Sequence, residues 1–157
     1  MRALGLTGIA IGLAIGLAAF DAGPARADRN AFGLRGGVTD DPDTLFMGGH
    51  VAIHPRSVRR LRIEPSLELG FGDNSDFITI RANLNFKIMF PISRDAAFYP
   101  LLGPNLYYVN PDNRDDYSDF GLNLGAGFAF SGFAFDLIVG VPNDIPDVTF
   151  TFSYTFW

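Results

Sequence analysis

The sequence predicts an all-β fold: an eight-stranded antiparallel up-and-down transmembrane β-barrel with its apolar face turned outward. Three observations predict it. Hydrophobic residues make up 48% of the 157, yet beyond residue 20 they alternate with polar ones and form no long run, which is how strands carry apolar surface. Strand-like stretches recur between turn-forming clusters at the even spacing of a barrel or sandwich. The polar half of each alternation mixes Gly, Ala, Ser and Asn with a few charges of both signs, which suits a narrow filled interior better than a surface in water.

Residues 1–27 read as a cleavable signal peptide. Arg2 is the positive start, "ALGLTGIAIGLAIGLAAF" the apolar stretch, and Ala25-Arg26-Ala27 a small-x-small cleavage site. A retained membrane helix is the rival reading, but Gly23-Pro24 and the cleavage site follow the apolar run at once. Residues 28–157 then form one barrel domain.

Its elements follow in order. "AFGLRGGV" is closed by "TDDPD", and "TLFMGGHVAI" by "HPRSVRR". "LRIEPSLELGF" runs to "GDNSD", and "FITIRANLNFKIMF", the longest alternating run, to "PISRDA". "FYPLLGPNLYYV" precedes the longest polar link, "NPDNRDDYS". "DFGLNLGAGFAF" and "FAFDLIVGV" flank Ser131-Gly132, a tight-hairpin pair. After "PNDIP", "VTFTFSYTF" closes a set of eight. Pro65, Pro100 and Pro104 fall inside these runs; proline cannot donate to a ladder, so bulges or local irregularity are expected there.

Side chains alternate across a strand, and the fourth run sorts most clearly. Ile78, Ile80, Ala82, Leu84, Phe86, Ile88 and Phe90 share one face, while Thr79, Arg81, Asn83, Asn85 and Lys87 share the other. A soluble, lipocalin-like carrier would turn the apolar face inward, and a membrane barrel turns it outward. The apolar face holds more Phe, Leu and Ile than an eight-strand lumen could enclose beside a ligand. No charge interrupts that face, where one would cost about 2–4 kcal/mol at mid-depth.

With this pattern the chain resembles the small eight-stranded outer-membrane barrels of Gram-negative bacteria, the OmpA-, OmpX- and OmpW-like group. The resemblance spans the whole processed chain and rests on pattern more than on motifs. Its sharpest element is the C-terminus, where Tyr154, Phe156 and Trp157 look like the terminal aromatic signal read by the barrel-assembly machinery, with Trp157 one place out of phase. The resemblance implies an outer-membrane location, outer-membrane lipids as surroundings, and the assembly machinery as a partner during biogenesis.

Candidate site residues are those expected to point at the axis: Arg35, His50, Arg62, Glu64, Glu68, Arg81, Asn83, Asn85, Lys87 and Asp136. Four positive and three negative groups nearly balance, which favours a packed network plugging the barrel over a conducting lumen, since buried charges persist when partnered. His50 lacks the nucleophile and orienting group of a triad, and neither it nor His54 carries the His-x-Ser pair of the outer-membrane deacylases. No catalytic residue, cofactor or resident metal is therefore expected.

The net charge of −5 argues against nucleic acid, and the absence of cysteine excludes disulfides and thiol chemistry. With the N-terminus in the periplasm, alternate links face outward. They place Asp40, Asp41, Asp43, Asp73, Asp76, Asp112, Asp115, Asp116, Asp144 and Asp147 at one rim, with Arg56, Arg59, Arg60 and Arg94 at the other. The acidic rim could gather divalent cations through carboxylate oxygens, although Asp also simply makes good turns. The expected role is membrane-structural. A narrow conduit is the alternative within the fold, and a soluble carrier or a lipid-modifying enzyme the alternatives outside it.

Overall fold

The computed structural model describes residues 30–40, 43–72, 77–111, 117–141 and 148–156. The signal-peptide segment, Trp157 and most of the acidic links lie outside these residues.

The alternating runs form antiparallel strands. They are β1 (Asn30–Asp40), β2 (Thr44–Ile53), β3 (Leu61–Gly72), β4 (Phe77–Ile88), the two-residue β5 (Phe90–Pro91), β6 (Ala96–Pro111), β7 (Tyr117–Phe130), β8 (Phe133–Val141) and β9 (Val148–Phe156). Each long strand pairs with its neighbours in sequence, β4 pairs with β6, and β1 pairs with β9, so eight long strands close a ring. β5 is no ninth stave. Its pairing Phe90↔Phe98 continues the register Lys87↔Leu101 of β4 on β6, so β4 and β5 are one strand interrupted at Met89. The longest strand is β6, with 16 residues, not the run beginning at Phe77.

The registers fix the barrel's shape. Passing from partner to partner, Asn30 leads to Ile53, Ile63, Phe86, Leu102, Leu124, Val139 and Val148, and returns to β1 at Asp40, ten residues displaced. Ten residues at about 3.3 Å, against eight strand spacings of about 4.8 Å, tilt the strands by about 40° and set a backbone radius of about 8 Å. A cylinder that narrow is filled by its own side chains. At that tilt, β4 extended through β5 rises about 35 Å, enough to cross the hydrocarbon core of a bilayer.

The three in-strand prolines produce local irregularity, the second of the two outcomes expected above, and no shift of register. β2 and β3 pair from Thr44↔Gly72 to His50↔Ser66, lapse beside Pro65, and resume at Ile53↔Ile63 in the same register. The β4–β6 ladder lapses in the same way beside Pro104, and again at Ile88 and Met89, opposite Pro100 and Tyr99. On their other sides Pro65↔Leu84, Pro100↔Ala126 and Pro104↔Leu122 pair without interruption. A strand residue sends its N–H to only one neighbour. Each proline thus removes bonds from one ladder and leaves the other whole. Ser131 and Gly132 link β7 to β8 with φ of 49° and 89°, the paired positive values of a hairpin turn whose twist matches its strands.

The two faces separate by burial. Leu34 is 61% exposed, Phe120 63% and Leu137 55%, while Glu64 and Asn85 are 0% exposed. The apolar face is therefore outside. Among the described strand residues, the charged group on that face is Asp40, at the very end of β1. This overturns the soluble-carrier alternative, which needed the apolar side chains around an internal pocket.

Candidate functional site

All ten residues expected to face the axis are buried, and the barrel brings them together from five strands. β1 supplies Arg35, β2 His50, and β3 Arg62, Glu64 and Glu68; β4 supplies Arg81, Asn83, Asn85 and Lys87, and β8 supplies Asp136. Every one is an inward member of its alternation, so strand phase alone puts it in the lumen.

Two carboxylates organise the ions. Glu64 accepts from Lys87 Nζ at 2.8 Å through Oε1 and faces Arg62 Nη2 at 2.8 Å through Oε2, with Arg35 Nη1 at 3.5 Å. Glu68 takes Arg81 Nε and Nη2, both at 2.6 Å on Oε2, and Arg35 Nε at 3.0 Å on Oε1. Asp136 crosses from β8 to meet Lys87 Nζ at 3.1 Å. Arg35 thus lies between all three acids, with Asp136 Oδ2 at 3.8 Å from its Nη2. In so dry a space, unpaired charge would be prohibitive; paired and hydrogen-bonded charge is tolerable.

Neutral groups complete the packing. Asn83 donates to Ser66 Oγ at 3.1 Å and Glu68 Oε1 at 3.0 Å. Asn123 donates to Asn83 at 3.0 Å and Asn85 at 3.1 Å, and Asn105 donates to Asn123. Tyr99 donates its hydroxyl to Asp136 Oδ1 at 2.7 Å, while its ring lies 4.8 Å from Lys87 Nζ. Arg81 lies 4.6 Å from the centre of the Phe46 ring. Such contacts stabilise a guanidinium or ammonium removed from water.

Glycines make the crossing possible. A Cβ on Gly127 would meet Asp136 Oδ1 and the Tyr99 ring, and one on Gly33 would meet the His50 ring. What space is left is small. A cavity of about 10 Å³, bordered by Thr44, Phe46, Glu68, Arg81 and Tyr107, is at the lower limit for one water.

His50 Nε2 is hydrogen-bonded to Thr155 Oγ1 at 2.9 Å, and the same hydroxyl accepts from Arg62 Nη2 at 3.0 Å. An imidazole beside a hydroxyl has the elements of an activated nucleophile. Both residues are almost fully buried, at 3% and 1% exposed. His54 sits half-buried in the turn after β2; burial first, and the Arg62 charge second, lower its pKa below the ordinary imidazole value.

Sequence reasoning left out Tyr99, Asn105 and Tyr107 because it did not phase the fifth run. The signal was there: in "FYPLLGPNLYYV", Tyr99, Leu101, Asn105 and Tyr107 share one phase and all are buried, whereas Leu102 is exposed. Tyr154 and Phe156 of the terminal aromatic element face outward, with Tyr154–Phe156 ring centres 5.0 Å apart and Phe156 stacked on Phe32 at 5.2 Å. Of the acidic rim, Asp40 and Asp43 are described. Asp41, Asp73, Asp76, Asp112, Asp115, Asp116, Asp144 and Asp147 lie outside the described residues, and so does any cation site they form.

No protein-family model and no curated protein matches the chain. Among solved structures, the crystal structure of Ail, the attachment invasion locus protein of Yersinia pestis, matches with a TM-score of 0.51 at 18% identity, covering 82% of this chain and 97% of Ail. Ail in a phospholipid bilayer nanodisc (TM-score 0.48, 14% identity, 81% and 99% covered) and a de novo designed transmembrane β-barrel (0.49, 16%, 82% and 95%) also match. The Ail crystal structure shows the fold: the chain has the architecture of the small eight-stranded outer-membrane β-barrels.

Proposed function

We propose that this outer-membrane-type barrel is a non-enzymatic integral protein of the outer membrane with a membrane-structural role, its lumen plugged by the ionic network. One observation carries the reading. Bulky apolar side chains clothe the outside on every long strand, while Arg35, Arg62, Arg81, Lys87, Glu64, Glu68 and Asp136 are all turned inward and paired. In water, that arrangement would expose an apolar surface far larger than soluble monomers tolerate. In a bilayer, the closed ring of paired strands leaves no free sheet edge, and each of these charges is partnered.

The role follows from what the lumen lacks. An eight-strand barrel is only wide enough to be filled, and channels of useful bore take about twice as many strands. Here the axis is occupied by Arg35 and the Glu64–Lys87–Asp136 chain. The lumen therefore serves as a polar core that holds eight staves together, and the work is done by the outer surface in the lipid.

Two measurements test this. Fractionation with detergent extraction should place the protein in the outer membrane, with gel mobility that changes on boiling. Reconstitution in planar bilayers should give no unitary conductance. A protein that stays soluble and monomeric in plain buffer defeats the whole reading, whereas discrete conductance steps would replace the plugged barrel by the conduit.

A further inference from the structure

The rim where β1 begins and β9 ends is basic, and nothing in the described structure neutralises it. Three links lie there: His54–Arg60 between β2 and β3, the Ile92–Asp95 turn after β5, and Ser131–Gly132. The first two are adjacent and joined, because Met89 N donates to Arg60 O at 2.7 Å. Together they present Arg56, Arg59, Arg60 and Arg94, all exposed, against the single acid Asp95. Glu64, Glu68 and Asp136 are taken by lumenal cations, and none of these four arginines is in an ion pair among the described residues.

Their height matters as much as their charge. The outward apolar band runs directly into this rim through Ile88, Phe90, Phe98 and Phe133, and ends in exposed Val58 and Ile92 on the two links themselves. Arg60 is anchored at the boundary, its guanidinium carbon 5.9 Å from the centre of the Phe90 ring. Side chains with an apolar stem and a charged head settle at such a boundary with the head at headgroup depth. The phosphates of the leaflet lie at that depth, and a guanidinium binds phosphate through paired N–H donors.

We infer that Arg56, Arg59, Arg60 and Arg94 form a binding rim for anionic phospholipid headgroups of the leaflet on the side where β1 begins and β9 ends. This rests on the membrane reading above and adds a lipid preference to it. The rim would select lipids of net negative charge, not merely any phosphate, because four cations face one acid and a zwitterionic headgroup brings its own neutralising amine. The links at the opposite end are rich in aspartate by sequence, so the two leaflets would be read with opposite sign.

The chain's single tryptophan, Trp157, is the next residue in sequence after Phe156, where β9 ends at this rim, and serves as the reporter. The full processed protein is folded into vesicles that mix phosphatidylcholine with phosphatidylglycerol, one or the other brominated to quench the indole. Near the wild-type rim, the ratio of phosphatidylglycerol to phosphatidylcholine should be enriched roughly fivefold over its bulk value. The enrichment should fall as salt rises from low to molar ionic strength. Arg56→Gln/Arg59→Gln/Arg60→Gln/Arg94→Gln should bring it to unity while insertion, read by boiling-dependent mobility, is retained. Enrichment at unity in the wild type, or equal enrichment in the variant, overturns the inference with the membrane reading intact. Failure of the wild type to insert at all overturns the membrane reading itself. Should the fourfold variant fail to insert, the Arg59→Gln/Arg94→Gln pair must lower the enrichment or the inference falls.

Discussion

Glu64→Gln is the sharpest test of what holds the lumen together. The carboxylate is 0% exposed and is approached by Lys87 Nζ on one oxygen and Arg62 Nη2 on the other, both at 2.8 Å. The amide is nearly isosteric, so the perturbation is one of charge and hydrogen-bond polarity. Whichever way the Gln amide is turned, its NH₂ donor faces either the Lys87 ammonium or the Arg62 guanidinium, donor against donor. The lumenal balance of Arg35, Arg62, Arg81 and Lys87 against Glu64, Glu68 and Asp136 also worsens from four against three to four against two. Removing one partner of a buried pair costs about 3–5 kcal/mol, and a carboxylate shared by several cations belongs at the top of that range.

Denaturant unfolding in lipid vesicles, followed by mobility without boiling, reads the change. Lys87→Met in the Glu64→Gln background should recover part of the loss, because it removes the facing cation and restores the balance. The double-mutant cycle isolates the coupling. A Glu64→Gln variant within about 1 kcal/mol of wild type, by the scale for exposed pairs, would refute the claim that the network is a structural core.

Further outcomes follow from the same geometry. Leu124→Arg, near mid-band on the outward face of β7, should destabilise the inserted barrel by about 2–4 kcal/mol; a neutral result in the same unfolding assay would mean that this face meets water. Tyr99→Phe removes the 2.7 Å hydrogen bond to Asp136 and should cost about 1.5–3 kcal/mol, as for bonds to charged groups. Gly127→Ala drives a methyl into Asp136 Oδ1 and the Tyr99 ring and should cost about 1–3 kcal/mol by overpacking, whereas Ala126→Gly on the outward face of the same strand should cost less. Phe156→Ala should slow assembly in cells while leaving spontaneous folding into vesicles near wild type, if the terminal aromatics act as a signal and not as a fold determinant. Calcium titration of the acidic end should give heat and a raised melting temperature if its aspartates gather cations.

Much of this barrel was legible without coordinates, because strand alternation has a period of two and needs no tertiary information to be phased. Thr44–Ile53, Phe133–Val141 and Val148–Phe156 begin and end where the alternation does. The phase of "FITIRANLNFKIMF" alone puts Arg81, Asn83, Asn85 and Lys87 on one face, and the outward face of bulky, uncharged residues decides which face meets lipid. Three things required the closed structure. The ten-residue displacement that fixes tilt and radius is a sum over every pairing round the ring, and no single strand contains it. The partners of each lumenal charge depend on that displacement too, since it brings Asp136 of β8 across to Lys87 of β4 and Thr155 of β9 to His50 of β2. The prolines are accommodated because each falls where its strand turns a donor toward one particular neighbour, and that is a property of paired strands and not of the chain alone.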